Sequence, residues 1–235
     1  MKRYGYFLDL LKLDIEKYPV IAVVGGGGKT SLIYRLNEEL QALGKKVIIS
    51  TTTHMAYDPM LPLVKSTDLE QVSEILKEHG FAAVADIEET SGKMCAIEET
   101  ALKKLVPFCD VMLIEADGAK RKPLKVPADW EPAIPDFADV VVSVIGLDCL
   151  GKPICETAHR AEYTSSVSSS HSATIISFSR ICRYMGFPSI SYKSLLLPNR
   201  RLFPAASMIN AIFMIFLPFL SCHRRKRIEE TGSSL

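Results

Sequence analysis

Four consecutive glycines, Gly25, Gly26, Gly27 and Gly28, are followed by Lys29 and Thr30 and sit directly behind the apolar run 19–24. This order constrains the fold more than any other feature of the chain. A buried strand delivers the backbone, a glycine turn exposes N–H groups, and a helix begins at Lys29. Turn and helix N-terminus together offer hydrogen-bond donors and a partial positive charge to an anion. In a phosphate-binding loop Lys29 reaches the outer phosphates and the Thr30 hydroxyl holds a magnesium ion. Lys29 is then expected to face solvent while the loop is empty. A merely flexible turn would explain the glycines but not the amphipathic helix behind them. There Leu32, Leu36, Leu40 and Leu43 recur at helical spacing before Gly44 supplies a stop. One departure is visible: the usual pattern opens with a glycine five places before its last glycine, and Val23 stands there.

At 235 residues, 48% of them apolar, the chain suits one domain of ordinary size, with or without an appendage. A net charge of +1 favours no polyanionic partner, and no nucleic acid is expected as a ligand. That total hides an asymmetry. Residues 165–235 carry nine Lys/Arg against two acids, Glu229 and Glu230, so the first 164 residues are net acidic. Six cysteines show no C-x-x-C pair and no disulfide-framework spacing. With no N-terminal signal peptide either, a reducing, cytoplasmic setting is expected. Cys149 and Cys155 stand close enough to suggest a metal or selenium ligand, but small apolar filler is the preferred reading.

Residues 4–17 read as a helix with Phe7, Leu8, Leu11 and Ile15 on one face. Strand, glycine loop and helix follow, then a second strand at 46–50. Such a unit is almost always a right-handed crossover, so these two strands are expected to be parallel. Thr67 and Glu70 make a capping-box pattern ahead of a helix carrying Leu69, Val72, Ile75 and Leu76, which Gly80 stops. Short strands at 81–85 and 93–97, a helix at 98–106, and apolar strands at 110–114 and 140–145 complete the pattern. The expected fold class is α/β, a P-loop NTPase-like, mainly parallel sheet with helices on both faces. It would form a nucleotide-binding domain at 1–163, and the C-terminal part, 164–235, is expected to be irregular.

Three segments should converge at the C-terminal edge of such a sheet, where ligands bind. They are the glycine loop, then Thr51, Thr52, Thr53 and His54 after the second strand, then the stretch from Glu115 to Gly118. A carboxylate ending an apolar strand beside a phosphate loop commonly binds magnesium directly or through water. Glu115 and Asp117 therefore join Lys29 as catalytic candidates and Thr30 as metal-binding candidates. One acid would hold the metal while the other orients a water or a substrate hydroxyl. The threonines carry a weaker signal, since threonine is also a good strand residue. They and His54 are candidate switch or substrate residues, with His54 reading best as a polar loop residue. Lys120, Arg121, Lys122 and Lys125 follow the acids and suit either a second anionic group or plain solvated surface. Pro123, Pro127, Pro132 and Pro135 make that segment a stiff substrate loop or lid rather than a helix.

The order GGGGKT, TTTH, EADGAKRKPLK, Glu131-Pro132, GLDCLGKP and ETAHR resembles the YqeC family over about residues 18–162. Its members are described as accessory proteins of selenium-dependent molybdenum hydroxylases. The resemblance implies a protein that assists maturation or insertion of a selenium-containing molybdenum cofactor, with the hydroxylase as its client. It also implies that binding or hydrolysis of ATP or GTP, with Mg2+, drives the step. Selenium and molybdenum enter from the resemblance alone.

Beyond about residue 162 the resemblance stops. Six serines crowd 165–172, periodicity is lost, and no Asn-Lys-x-Asp-like base-recognition segment follows; Asn199-Arg200-Arg201 is no substitute. These features suit an out-of-frame reading of the gene, so 164–235 is read as an atypical serine-rich, basic tail produced by a frameshift. Within it, 202–222 runs without a charge between basic flanks, a candidate membrane helix weakened by Pro204, Asn210 and Pro218. Two other functions stay open. One is a small-molecule kinase or ligase using the same loop with Asp117 as base. The other is a membrane-tethered interaction protein anchored by 202–222.

Overall fold

The structure, a computed structural model, describes residues 6–65 and 68–163, and the backbone of Ile212–Pro218. Helix α1, Tyr6–Leu10, opens it. This helix is shorter than the sequence pattern implies because Lys12 adopts φ 51. The Leu13 N–H then donates back to the Leu8 carbonyl at 3.0 Å, a Schellman-type stop. Strand β1, Val20–Gly25, runs into the glycine loop, and helix α2, Lys29–Ala42, follows. Next come β2, Val47–Thr51, β3, His54–Met55, β4, Leu63–Val64, and helix α3, Leu69–His79. The α3 cap is Asp68, whose carboxylate accepts the Gln71 N–H at 2.9 Å. Thr67, the expected cap, lies outside the described residues.

After α3 the chain forms β5, Phe81–Val84, then a hairpin of β6, Asp86–Glu88, and β7, Lys93–Cys95. Helix α4, Glu99–Leu105, leads to β8, Val111–Glu115. The remainder comprises β9, Leu124–Lys125, β10, Val140–Gly146, a short helix α5, Ile154–Thr157, β11, Ala158–His159, and β12, Ile212–Pro218.

Seven strands make the main sheet in the order β12-β10-β1-β8-β2-β5-β4. All neighbours pair parallel except β12, which runs antiparallel to β10. The fold is therefore α/β with a mainly parallel sheet, as the alternation of apolar strands and helices predicts. Strand side chains alternate between two separate cores. Ile21 and Val23 pack with Leu32, Ile33, Leu36 and Leu40 of α2 and with Phe7 and Leu8 of α1. Val20, Ala22 and Val24 pack on the other face with Val72 and Leu76 of α3 and Leu102 and Leu105 of α4. Burial on both faces is why these strands are apolar at nearly every position. The first two long strands are parallel but not adjacent, because β8 lies between β1 and β2. That insertion brings Gly25, Glu115 and Thr51 to one edge.

The 202–222 stretch is a candidate membrane helix by its sequence, and its described part does not form one. Ile212–Pro218 is instead an edge strand in register with β10. Pairing along β10 satisfies backbone groups that a helix would bond internally, and the run is rich in strand-favouring residues. No helix among the described residues is long and apolar enough to cross a membrane. The serine-rich segment, the rest of 202–222 and its arginine flanks lie outside the described residues.

One buried charge ties α1 to the sheet. Glu39 of α2 is 5% exposed and accepts the N–H groups of Phe7 and Leu8 at 2.9 and 3.1 Å. A carboxylate at a helix start satisfies donors and faces the positive end of the dipole. Glu39→Ala should therefore lower unfolding stability by about 2 kcal/mol, read as a lower urea midpoint. An unchanged midpoint would show that α1 does not depend on this contact.

Candidate functional site

The glycines are required by close packing as much as by turn geometry. Gly25 has φ 99, and a Cβ there would lie 2.2 Å from the Val144 carbonyl oxygen. Gly27 has φ 75, and its Cβ would come 2.5 Å from the Gly146 Cα. The loop is pressed against the end of β10 and against the segment 122–124, so it is a fitted turn rather than a slack one. Helix α2 starts at Lys29 with Gly28 as its N-cap and no side-chain cap. Among the described residues, the backbone N–H groups of Gly27, Gly28, Lys29, Thr30 and Ser31 donate to no protein acceptor. All five residues line one cavity of about 980 Å³. Unpaired donors at a helix start are the chemistry that binds an anion.

Lys29 is not solvent-facing, contrary to the sequence expectation. It is 6% exposed, donates to the Gly25 carbonyl at 2.8 Å, and stands 3.7 Å from Glu115 Oε1 and 3.1 Å from Asp117 Oδ1. Two carboxylates at the end of β8 draw the ammonium back toward the sheet, and the low local dielectric strengthens that pull. Thr30 donates its hydroxyl to Glu115 Oε2 at 2.7 Å. Asp117 Oδ2 accepts the Gly25 N–H at 2.9 Å. Its Oδ1 lies off the hydrogen-bonding direction to Lys29, so that contact is purely electrostatic. Both acids thus meet Lys29, but Glu115 lines the cavity, whereas Asp117 is 2% exposed and holds the loop backbone.

Burial raises the Glu115 pKa above the usual carboxylate value, and Asp117 adds to that push. Lys29 and the Thr30 hydrogen bond oppose it. A hydroxyl and a carboxylate 2.7 Å apart, with a second acid behind them, form the oxygen-rich donor set that magnesium takes alongside phosphate oxygens. No group of three His, Cys, Asp or Glu side chains among the described residues could hold a metal by itself. The donors therefore fit a metal that arrives with its phosphate.

The threonines divide by role. Thr51 donates its hydroxyl to the Glu115 carbonyl at 2.9 Å, and Thr52 donates to the Ala133 carbonyl at 2.7 Å. Thr53 keeps a buried hydroxyl with no partner, and Thr52, Thr53 and the exposed His54 line the cavity. Lys120 and Arg121 line it too. Lys122 and Lys125 do not. Lys122 donates to the Glu156 carbonyl, and Lys125 is 1% exposed and paired with Glu131 at 2.7 Å. Sequence reasoning assigned no site role to Lys93, Glu131, His159 or Arg160, which also border the cavity. Glu131 and His159-Arg160 fell within segments recognised as motifs, but nothing in the sequence placed them at the cavity that the glycine loop borders. Of the two neighbouring cysteines, Cys149 is buried, with its thiol pushed up to about 11 by burial, and Cys155 is exposed.

A family model described as YqeC protein matches residues 21–162. A protein of Escherichia coli (strain K12), named "Uncharacterized protein YqeC", is 40% identical over 167 residues. That alignment covers 64% of this chain and 61% of the relative, so the chain spans about three fifths of the relative's length. No solved structure matches.

Two outcomes follow from the buried charges. Lys29→Ala leaves Glu115 and Asp117 facing each other without a cation, and should cost about 3–5 kcal/mol in urea unfolding; a midpoint equal to wild type would contradict this. The second concerns pH. The raised pKa of Glu115 means that its contribution to stability is full below the ordinary value of 4.5 and is lost as pH rises through the folded-state value. The stability difference between Glu115→Gln and wild type should therefore move in the variant's favour from mild acid to neutrality. A difference that stays flat across that range would rule out Glu115 as the source.

Proposed function

The chain belongs to the YqeC family, and on that premise we propose that its glycine-loop cavity binds a magnesium–nucleoside triphosphate and hydrolyses it. One observation carries the reading: five unpartnered backbone donors open the cavity at the start of α2, beside a lysine held between two carboxylates. The amides take the phosphate oxygens. Lys29 leaves Asp117 and Glu115 for the outer phosphates, which offer it a stronger partner of the same sign as the acids. Thr30 and Glu115 are the residues that would hold the magnesium ion, which would supply charge neutralisation for the phosphates. Asp117 stays on the Gly25 N–H and keeps the loop in shape. Glu115, the acid that lines the cavity, is the group placed to orient an attacking water.

The family resemblance extends this reading to an accessory role in maturing or inserting the selenium-containing molybdenum cofactor of a hydroxylase, with nucleotide state controlling delivery to the client. A small-molecule kinase or ligase is the second reading, favoured by the cations that line the same cavity. Slow hydrolysis stimulated by a client separates the first from the second, which requires phosphate transfer to a metabolite.

Calorimetry of the full chain with ATP and with GTP tests the site. Heat that requires magnesium is expected with at least one of them. Thr30→Ala should weaken this magnesium-dependent binding by about ten-fold. Absence of binding to either nucleotide, with the protein shown to be folded, would end this proposal.

A further inference from the structure

The cavity is lined by cations that a nucleotide loop does not account for. Lys93, Lys120, Arg121 and Arg160 all line it. Among the described residues Lys93, Lys120 and Arg121 form no ion pair. Arg160 shares the Glu131 carboxylate with Lys125, so one acid faces two cations there. Like charges that line one cavity repel each other, and an arrangement of this kind is relieved by an anion.

The backbone that presents two of these cations is itself unusual. The Lys122 N–H donates to the Ala119 carbonyl at 2.8 Å, closing a turn whose central residues are Lys120 at φ 46 and Arg121 at φ 60. A turn with positive φ at both centres is the place for Asn-Gly, not for two long side chains. Strain of this sort persists where the surroundings over-determine it, and it clusters at ligand sites. The surroundings here are the glycine loop: a Cβ on Gly26 would lie 2.6 Å from the Lys122 carbonyl oxygen. The cationic turn and the phosphate loop are therefore in direct backbone contact, bordering one volume of about 980 Å³, at the upper end of what small-molecule sites occupy.

We propose that these cations bind a multiply charged oxyanion, a phosphate or polycarboxylate group, of a second small-molecule substrate held in the same cavity as the nucleotide. The proposal rests on the nucleotide reading above for the identity of the neighbouring ligand. Lys120 and Arg121 supply the main contacts, with Arg able to grip two oxygens at once, and Arg160, which lines the same cavity, adds a further cation.

The chain's single tryptophan provides a reporter. Trp130 sits with its ring 5.3 Å from the Arg160 guanidinium, so an anion that draws on Arg160 should change its fluorescence. The full chain is first saturated with magnesium and a non-hydrolysable ATP or GTP analogue, which fills the glycine loop. Inorganic phosphate and malonate are then titrated separately, to tell a phosphate site from a dicarboxylate site. The test variant combines Lys120→Asn with Arg121→Gly, which removes both charges while giving the turn its preferred residues, so its melting temperature should equal or exceed that of wild type. The expected result is saturable binding of one of the two anions by wild type. In the variant that binding should be weakened about ten-fold or more, with analogue affinity unchanged. Equal anion affinity in wild type and variant would overturn the proposal, as would failure of both anions to bind. A parallel loss of analogue affinity would also overturn it, by assigning the cations to the nucleotide. If the analogue itself gives no heat, the nucleotide reading fails separately. The same titration without analogue then decides the anion site, which stands if the binding depends on the two substituted residues and falls if it does not.

Discussion

The Lys29 ammonium is the contact on which the rest of the site depends. It closes a ring in which the cation meets the Gly25 carbonyl and both acids, while Asp117 returns to the Gly25 N–H. Charge, strand end and loop backbone are thereby fixed to one another. Buried ion pairs of this kind are poor sources of net stability, since desolvation offsets the attraction. Their value lies in having a defined partner set that an incoming anion can replace. On the proposed reading, the loop is held ready by the same lysine that later leaves its acids for phosphate.

Sheet topology makes that ring possible. With β8 between β1 and β2, the Glu115 residue pairs in register with Val23 on one side and Thr51 on the other. Threonine, acid and glycine loop then share one edge. The two apolar cores hold this edge rigid from both faces, with α1 and α2 on one side and α3 and α4 on the other. Ligands of open α/β sheets collect at such an edge because the strand ends and helix starts leave backbone groups unpaired there.

The glycine loop also organises its surroundings. Its close approach to Gly146 and to the 122–124 segment locks the following cationic turn in place. The lining of the cavity combines amides, a hydroxyl and a carboxylate with lysines and arginines. Those are different binding chemistries within one volume, and the strained turn that carries Lys120 and Arg121 is backed by the glycine loop.

Local order in the sequence determined a good deal. Apolar strands behind and ahead of α2, its leucine spacing and the glycine–lysine–threonine run were enough to place the loop, the helix start and the parallel α/β class, because these depend on neighbours along the chain. The acids of β8 were legible for the same reason, as charged residues ending an apolar strand. Tertiary structure alone decided that Lys29 is buried, since its partners lie 86 and 88 residues away in sequence and no pattern near Lys29 announces them. It also decided that β8 separates β1 from β2, that Ile212–Pro218 forms an edge strand, and that Lys93 and Arg160 line the same cavity as the glycine loop. Periodicity records which side of an element is apolar; which elements become neighbours follows only from how the whole sheet packs.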